Sequence, residues 1–363
     1  MRLFQNSGAY PSYLSRLDVL AAKKTTFEGR REELLRDRYG ALQLLKPVLD
    51  GDNDAFFTNG DDKTLQTAWA REHGMREITA LDEILLAQIE HHRSEVFYNT
   101  EPTRYGSALV HKLPGCVKKT VCWRAAPSGG VDLSAYGAVV CNFPKILEEW
   151  RRKGCRVEYF YPAIDPVMDE YGHGERPIDV LFVGGYSRHH LARVKVLVDI
   201  AKLSPSRRVV YCLDASRMTR LAESFPGRLF PQLKKFRRPE KLAEVTRPPV
   251  FGRALYELLG QAKIVLNGAI DMAGDNRGNM RCFEAMGCGA LLLTDSGLYP
   301  EGMMDGQTIV TYKNSDEALD LALRYLSDPQ DASVIAKRGR QTVEQLYSKT
   351  AQWQLFCEIV SLI

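Results

Sequence analysis

Long apolar runs are missing from this sequence. No stretch reaches the roughly 20 apolar residues that a membrane-spanning helix needs. The first eight residues have neither the apolar core nor the cleavage pattern of a signal peptide. These absences exclude an integral helical membrane protein, and we expect a soluble cytoplasmic chain that contacts the inner face of a membrane at most peripherally.

Cysteines at metal-binding spacing are also missing. The chain has eight cysteines, but no two of them form a Cys-x-x-Cys pair. A zinc site or a dithiol redox motif is therefore not expected. Several cysteines, such as Cys141, lie inside apolar runs, and this placement is typical of buried, reduced thiols.

A strong charge of one sign is absent too. Lysine and arginine number 49 and aspartate and glutamate 45, so the net charge is only +4. This excess is too small to indicate a nucleic-acid partner, although it suits an anionic substrate. There is no internal repeat or low-complexity tract, and 363 residues suffice for two domains of about 100–200 residues each.

Strand-like and helix-like segments alternate along the chain, which predicts parallel sheets covered by helices. The predicted strands are 3–5, 54–57, 95–98, 119–123, 138–141, 157–161, 179–183, 208–213, 263–267, 290–294 and 308–312. The predicted helices are 27–49, 64–72, 80–92, 144–153, 188–202, 217–224, 252–261, 315–327 and 330–346. The turn-rich segment 162–177 separates the two halves of this pattern.

The densest motif is Asn279-Met-Arg-Cys-Phe-Glu-Ala-Met-Gly-Cys-Gly-Ala-Leu-Leu-Leu-Thr-Asp295. It predicts a short helix, a glycine stop and a buried strand that ends in a polar pair. The polar glycine loop 273–278 precedes the helix. A helix N-terminus presents unpaired N–H donors and the positive end of the helix dipole. This arrangement therefore suits a diphosphate.

This motif resembles the donor-site motif of glycosyltransferases with two Rossmann-like domains, the GT-B fold. The chain resembles the "glycosyl transferases group 1" set that includes CgeB-like proteins. Shorter similarities occur in the same order elsewhere, at 179–185, 251–256, 264–267 and 66–70. The resemblance implies an α/β protein whose two domains face each other across a cleft, with a C-terminal helix crossing back to the first domain. The implied domains are an acceptor-binding domain at 1–165, a nucleotide-sugar-binding domain at 166–346 and the helix at 347–363.

The sequence departs from the family pattern at two places. Retaining members often carry two glutamates eight positions apart, but the residue eight positions before Glu284 is Asn276. Many relatives have a histidine near the position of Trp123 and Arg124, and this chain has none there. The stereochemical outcome of transfer therefore stays open.

Candidate donor-binding residues follow predicted strands or lie in the motif, because ligands of open α/β sheets bind at the carboxyl ends of strands. Glycines after a strand let the backbone approach a phosphate, arginines add charge, and a carboxylate early in the motif helix could reach a ribose hydroxyl. For several of these residues a structural role is the alternative, as a tight turn, a loop brace or a half-exposed histidine. The candidates are Gly184, Gly185, Arg188, His190, Arg193, Asn267, Asn279, Arg281 and Glu284.

The first domain offers acceptor-side candidates. Gly8 and Tyr10 follow its first strand, and Glu101 follows the strand 95–98. An inverting transferase needs a base for the acceptor hydroxyl, and we assign catalysis to Glu101 and to Asp62, with Asp61 as its neighbour. A solvated loop glutamate that braces Arg104 is the alternative for Glu101.

The resemblance implies a glycosyltransferase that moves a sugar from a nucleoside-diphosphate sugar to a hydroxyl acceptor, in glycan or surface polysaccharide synthesis. No cofactor and no metal are expected, because no predicted strand ends in an Asp-x-Asp pair and the fold usually works without one. The acceptor could be a glycan, a lipid-linked molecule or a protein, and no nucleic acid is expected. The basic and aromatic segment 228–239 is either a lipid contact or a solvated face. The alternatives to transfer are a nucleotide-sugar epimerase or hydrolase and a non-catalytic nucleotide-sugar binder.

Overall fold

The computed structural model of the protein describes residues 1–76, 79–187, 190–268 and 272–363. The chain forms two compact units. The first comprises Met1–Ala163, Met272–Asn276 and Tyr347–Ile363, and the second comprises Ile164–Asp271 and Arg277–Leu346.

The first unit is a parallel six-stranded sheet covered by helices. Its strands are β1 (Leu3–Ser7), β2 (Ala55–Asn59), β3 (Val96–Asn99), β4 (Lys119–Trp123), β5 (Ala138–Cys141) and β6 (Val157–Tyr159), in the spatial order β2-β1-β3-β4-β5-β6. Its helices are α1 (Pro11–Leu20), α2 (Phe27–Asp37), α3 (Lys46–Asp50), α4 (Lys63–Glu72), α5 (Leu81–His92), α6 (Ser107–Val110) and α7 (Pro144–Arg152). The predicted α/β architecture is confirmed here, since short apolar strands with buried residues on both faces suit a covered parallel sheet.

The C-terminal helix Lys349–Leu362 packs within this first unit. The buried ammonium group of Lys349 donates hydrogen bonds to the carbonyl oxygens of Ala41, Leu42 and Leu44. The side chain of Gln352 is fully buried and donates to the carbonyl oxygens of Leu42 and Tyr161. These bonds satisfy polar groups that would otherwise be costly to bury.

The predicted helix at 27–49 is interrupted in the structure. Helix α2 ends at Asp37, and the next residue, Arg38, has a φ of +65°, which a right-handed helix does not allow. A short 3₁₀ turn, Ala41–Gln43, and the separate helix α3 follow. Helix α1 was not predicted, although Pro11 in its first turn is a usual start signal.

The second unit is also a parallel six-stranded sheet. Its strands are β7 (Ile178–Gly185), β8 (Val209–Asp214), β9 (Thr246–Arg247), β10 (Ala262–Leu266), β11 (Leu291–Asp295) and β12 (Val310–Tyr312), in the spatial order β12-β11-β10-β7-β8-β9. Its helices are α8 (Leu191–Ala201), α9 (Arg217–Glu223), α10 (Phe225–Arg228), α11 (Glu240–Val245), α12 (Gly252–Gly260), α13 (Met280–Gly287), α14 (Ser315–Ser327) and α15 (Pro329–Leu346). This order is that of a dinucleotide-binding Rossmann sheet. The short elements α10, α11 and β9 were not predicted.

None of the helices in the described part of the chain combines the length and apolar character that crossing a bilayer requires. Of the eight free cysteines, Cys116 and Cys357 are partly exposed and the other six are buried. Burial raises the pKa of the Cys141 thiol to about 12, so this residue stays a neutral core group.

His92 makes the stability of the first unit depend on pH. Its ring stacks on Phe56 with the centroids 3.6 Å apart. Burial, helped by the neighbouring His91, lowers the pKa of His92 from 6.5 to about 4. The unfolded chain therefore binds more protons than the folded one between these two values, and the free energy of unfolding should decrease as the pH falls through this window, by at most about 1.4 kcal/mol per pH unit.

Urea unfolding of the wild type and of His92→Gln at pH 7 and pH 5 checks this prediction. The loss of stability at pH 5 should be smaller in His92→Gln, because the variant has no imidazole to protonate at this position. His111→Gln, at an exposed histidine, is the control and should behave like the wild type. An identical loss at pH 5 in His92→Gln would contradict the assignment.

Candidate functional site

The strand order of the second unit places a candidate site between β7 and β10. These strands are neighbours, and the chain leaves them toward opposite edges of the sheet. Ligands of open α/β sheets bind at such a switch point, at the carboxyl ends of the strands. The residues there are Gly184 and Gly185 at the end of β7 and Asn267 directly after β10.

Asn267 is a brace at this switch point. Its side-chain amide donates to Thr294 Oγ1 over 3.1 Å, and its Oδ1 accepts from Asn279 Nδ2 over 3.2 Å. Its backbone carbonyl accepts from the hydroxyl of Tyr312 over 2.7 Å. These bonds occupy both functional groups of the Asn267 side chain, so the geometry favours positioning of the Asn279 segment over direct contact with a ligand.

The start of helix α13 has the properties of an anion site. Asn279 is its N-cap residue, but its side chain does not accept a capping hydrogen bond from the backbone N–H groups of the first turn. The preceding Gly278 has a φ of +106°, a backbone conformation that strongly favours glycine and that sets the direction in which the helix starts. The first backbone N–H groups of the helix have no partner within it, and they carry the positive end of its dipole.

Arg281 and Glu284 form an ion pair on the first turns of α13. Arg281 Nη1 lies 2.5 Å from Glu284 Oε2, and the two side chains are 16% and 13% exposed. Burial raises the pKa of Glu284, while the charge of Arg281 acts in the opposite direction. This pairing fixes the carboxylate and leaves its Oε1 available to accept a hydrogen bond from a hydroxyl group.

Arg193 supplies a positive charge at the end of β7. Its guanidinium donates to the carbonyl oxygen of Gly185 and lies over the ring of Phe182, 5.1 Å from the centroid. Within the ranges that the structure describes, Arg193 forms no ion pair with a carboxylate. Burial lowers its pKa, although arginine remains charged in proteins. A partly buried cation without a carboxylate favours binding of an anion here.

Two candidates give less information. Arg188 lies outside the described residues. His190 is half-buried, directly precedes α8, and does not cap that helix with its side chain.

Three residues of this edge of the sheet were not predicted as site residues. Arg277 Nε lies 2.5 Å from Asp295 Oδ2, and the hydroxyl of Tyr299 donates to the backbone carbonyl of Asp295 over 2.6 Å. Asp295 ends the motif strand, so its position after an apolar run was an available signal. The sequence contains no comparable signal for Tyr299, because this residue reaches the end of β11 only through the fold of the loop that follows the strand.

One cavity of the second unit, about 700 Å³ in volume, lies at the other edge of this sheet. Among its lining residues, Arg176 precedes β7 and Gly289 precedes β11. It is therefore at the amino ends of the strands, away from the switch point.

The first unit has its own switch point, between β1 and β3. Gly8 follows β1 and Glu101 follows β3, and the side chains of Asp61 and Glu101 both lie against Gly8. A Cβ atom at Gly8 would be 2.7 Å from Glu101 Oε2 and 2.8 Å from Asp61 Oδ2, so only glycine leaves room for both carboxylates. The structure thus brings together the predicted residues Gly8 and Glu101.

The contacts of Glu101 differ from those expected of a simple brace. Arg104 Nη1 pairs with Asp61 Oδ1 over 2.8 Å, whereas Glu101 accepts a hydrogen bond from the hydroxyl of Thr103. Burial raises the pKa of Glu101, and the charge of Asp61 raises it further. A carboxylate with a raised pKa is a better proton acceptor near neutral pH.

Asp62 does not belong to this cluster, and its contacts favour a structural role over the predicted catalytic one. Its side chain is 2% exposed and binds Arg30 through both oxygens, at 2.6 Å and 3.0 Å. It also accepts from the backbone N–H of Leu65 as the N-cap of α4. Both oxygens of Asp62 are engaged in fixing Arg30 and α4, and Asp61 is the carboxylate that lies at the switch point.

Tyr10, the other acceptor-side candidate, is 64% exposed. Its backbone N–H donates to the hydroxyl of Tyr39 over 3.1 Å. Tyr39 stacks on Tyr13 with the ring centroids 3.6 Å apart. The side chain of Tyr10 is therefore free to contact an acceptor, while its backbone is held by a residue that the sequence pattern did not indicate.

Comparisons with known proteins identify the fold and a matching family. Residues 208–358 match the model of the family described as "Glycosyl transferase-like". Anabaena Alr3699/HepE, solved in complex with UDP and glucose, is 13% identical with a TM-score of 0.59, over 100% of both chains. A glycosyltransferase from Rickettsia africae ESF-5 is 12% identical with a TM-score of 0.53, over 99% of this chain and 97% of that chain.

The chain has the GT-B fold, and its residues 208–358 match a glycosyl transferase-like family. TarM from S. aureus, solved with UDP, Fondaparinux and α-GlcNAc-glycerol, shares the fold at 8% identity with a TM-score of 0.55, over 78% of this chain and 59% of that chain. No match was found among curated proteins. The predicted fold class of this protein is confirmed, and the family match supports the predicted enzyme class. The roles of its individual site residues stay predictions.

Proposed function

We propose that this protein is a glycosyltransferase that transfers a sugar from a UDP-sugar to an acceptor hydroxyl. The observation that carries the proposal is Arg193, a partly buried guanidinium without a carboxylate partner in the described chain, at the switch point of the second unit. Together with the start of α13, it is suited to a diphosphate. The HepE structures contain UDP, UDP with glucose, and UDP-glucose, which supports uridine as the base.

The chemistry requires charge stabilisation on the donor and proton removal on the acceptor. When the bond between the anomeric carbon and the diphosphate oxygen breaks, negative charge develops on the leaving UDP. The N–H groups of α13 and the guanidinium of Arg193 can stabilise it. In the first unit, Glu101 can accept the proton of the attacking hydroxyl. Glu284 is proposed to bind a ribose hydroxyl.

Other parts of the proposal rest on the sequence. We expect no metal ion and no organic cofactor besides the donor substrate. The described residues contain no group of three or more histidine, cysteine, aspartate or glutamate side chains arranged to hold a metal. The acceptor is a glycan, a lipid-linked molecule or a protein, the protein acts in the cytoplasm, and its contact with a membrane is peripheral.

Thermal unfolding with UDP, GDP, CMP and dTDP tests the donor proposal. A ligand at 100 times its dissociation constant adds about 2.7 kcal/mol to the free energy of unfolding, which is a readily measured shift in Tm. We expect the largest shift with UDP. Arg193→Gln should weaken UDP binding about tenfold or more, because it removes a charge-assisted hydrogen bond.

Arg338→Gln, at an exposed arginine of α15, is the matched control and should keep the wild-type shift. Equal UDP-induced Tm shifts in Arg193→Gln and wild type would show that the diphosphate does not bind at Arg193. A donor-only assay separates the alternatives: conversion of the donor without an acceptor indicates an epimerase or hydrolase, and binding without any turnover indicates a non-catalytic binder.

A further inference from the structure

One surface of the second unit combines high positive charge with exposed apolar side chains. It consists of residues 217–239, which include α9, α10 and the 3₁₀ turn Pro231–Phe236, and is called the 217–239 surface here. This segment has seven arginine and lysine residues and one acidic residue, a net charge of +6. Because the whole chain has a net charge of +4, all other residues together have a net charge of −2.

The same surface exposes large apolar side chains. Phe225 is 82% exposed, Leu229 is 70% exposed and Phe230 is 56% exposed. Leu221 and Met218 of α9 are 50% and 41% exposed. Isolated exposed apolar residues are common, but a contiguous group marks an interaction surface.

The apolar side chains of α9 point outward because the helix is anchored on its other face. Thr219 and Ala222 are buried, whereas Met218 and Leu221 are exposed three residues apart. The close packing of α10 on α9 reinforces this arrangement, since a Cβ atom at Gly227 would lie 1.8 Å from the carbonyl oxygen of Leu221.

Two arginines hold the segment together from within. Arg237 donates to the backbone carbonyl oxygens of Ala222, Gly227, Arg228 and Phe230. Arg238 pairs with Glu223, the one acidic residue of the surface, and its Nε donates over 2.8 Å. The segment is therefore an ordered platform on which the exposed phenylalanine and leucine side chains are presented.

Four other basic residues have no such structural task. Arg217, Arg220, Lys234 and Lys235 are exposed, and none of them forms an ion pair with a carboxylate in the described ranges. Their long aliphatic stems can lie along the apolar side chains while the charged groups reach outward. Exposed basic groups and exposed apolar side chains on one segment match the chemistry of an anionic lipid surface, which offers phosphate groups above a hydrocarbon layer.

We propose that the 217–239 surface docks on an anionic phospholipid membrane, with Phe225, Leu229 and Phe230 entering the headgroup region and the four unpaired basic residues contacting lipid phosphates. This inference specifies the peripheral membrane contact of the proposed function and rests on it. It does not depend on the identity of the donor sugar.

Sedimentation of the full chain with vesicles tests the proposal. We expect binding to vesicles of phosphatidylcholine with 30% phosphatidylglycerol, and little binding to phosphatidylcholine alone. Binding should weaken between 50 mM and 500 mM salt, because the ionic contribution is screened. Each basic residue near an anionic surface contributes about fivefold to the partition coefficient, so Arg217→Glu/Arg220→Glu should reduce it more than about tenfold. Phe225→Ser/Leu229→Ser should reduce it even in low salt.

The matched controls are substitutions at equally exposed positions elsewhere. Lys337→Glu/Arg338→Glu makes the same change of charge, and Val19→Ser/Leu362→Ser removes apolar side chains that are 77% and 61% exposed. Wild-type partition in both controls is expected. Equal loss in these controls, binding to neutral vesicles alone, or no binding at all would overturn the proposal.

Two further outcomes would also overturn it. Self-association without lipid that the Phe225→Ser/Leu229→Ser change abolishes would identify a second copy of the chain as the occupant. Retention on RNA or on an acidic protein, with no retention on vesicles, would identify a different macromolecule. UDP binding is measured separately by the Tm shift, so failure of membrane docking and failure of the donor proposal are distinguishable.

Discussion

Replacement of Glu101 by glutamine is expected to lower kcat about 100–10,000-fold, because a residue that accepts a proton in the transition state contributes by that amount. The dissociation constant of UDP should stay within about twofold, since Glu101 belongs to the first unit and the diphosphate is assigned to the second. Glutamine keeps the size and the hydrogen bond with Thr103 but cannot accept the proton. Single-turnover kinetics and calorimetry measure the two quantities separately.

Two companion variants distinguish catalysis from bracing. Thr103→Val removes the hydroxyl that donates to Glu101 and should change kcat only slightly. Burial raises the pKa of Glu101, and Asp61→Asn removes the negative charge that raises this pKa further. Because the base acts when deprotonated, kcat/KM should fall as the pH drops through this pKa, and Asp61→Asn should move that fall to lower pH. A wild-type kcat in Glu101→Gln would make Glu101 structural and direct the search for the base to Asp61 or the substrate.

Glu284→Ala is expected to weaken UDP binding more than about tenfold, since it removes a charged acceptor from a hydroxyl of the ribose. The ion pair with Arg281 provides a second readout. Pyrophosphate, which has no ribose, should bind the variant at least as tightly as the wild type, because the variant leaves the positive charge of Arg281 without its carboxylate. Calorimetry with both ligands measures the difference.

Glu257→Ala is the control for Glu284→Ala, because Glu257 is an exposed glutamate of another helix, α12, in the same unit. It should bind UDP and pyrophosphate as the wild type does. Parallel loss of both ligands in Glu284→Ala would indicate damage to the start of α13. Unchanged UDP affinity in a folded Glu284→Ala variant would remove Glu284 from the site.

The sequence predicted most of the sheets because their strands are short apolar runs between polar turns. It also placed Glu101 and Asn267 after strands, where parallel sheets bind ligands. Which of Asp61 and Asp62 lies at the switch point became clear only from their contacts in the structure. One signal was available in the sequence, because Asp62 directly precedes a helical segment and aspartate is preferred at N-cap positions.

Contacts between residues distant in sequence could not be predicted from local patterns. The brace between Asn267 and Tyr312 spans 45 positions, and the bond from Tyr10 to Tyr39 spans 29. Such contacts depend on how helices pack on the finished sheet. Local sequence therefore predicted the candidate residues better than it predicted which of them have their polar groups occupied by the protein itself.

The C-terminal helix has a consequence for biosynthesis. The ribosome makes the first sheet before the second unit, but the buried Lys349, Gln352 and Phe356 that complete the first unit are added only after the whole second unit. Until then, the carbonyl groups of Leu42 and Leu44 lack their final partners. The second unit can therefore finish folding first. Until the C-terminal helix is made, the incomplete first unit exposes apolar surface, and chaperones are most needed during this interval.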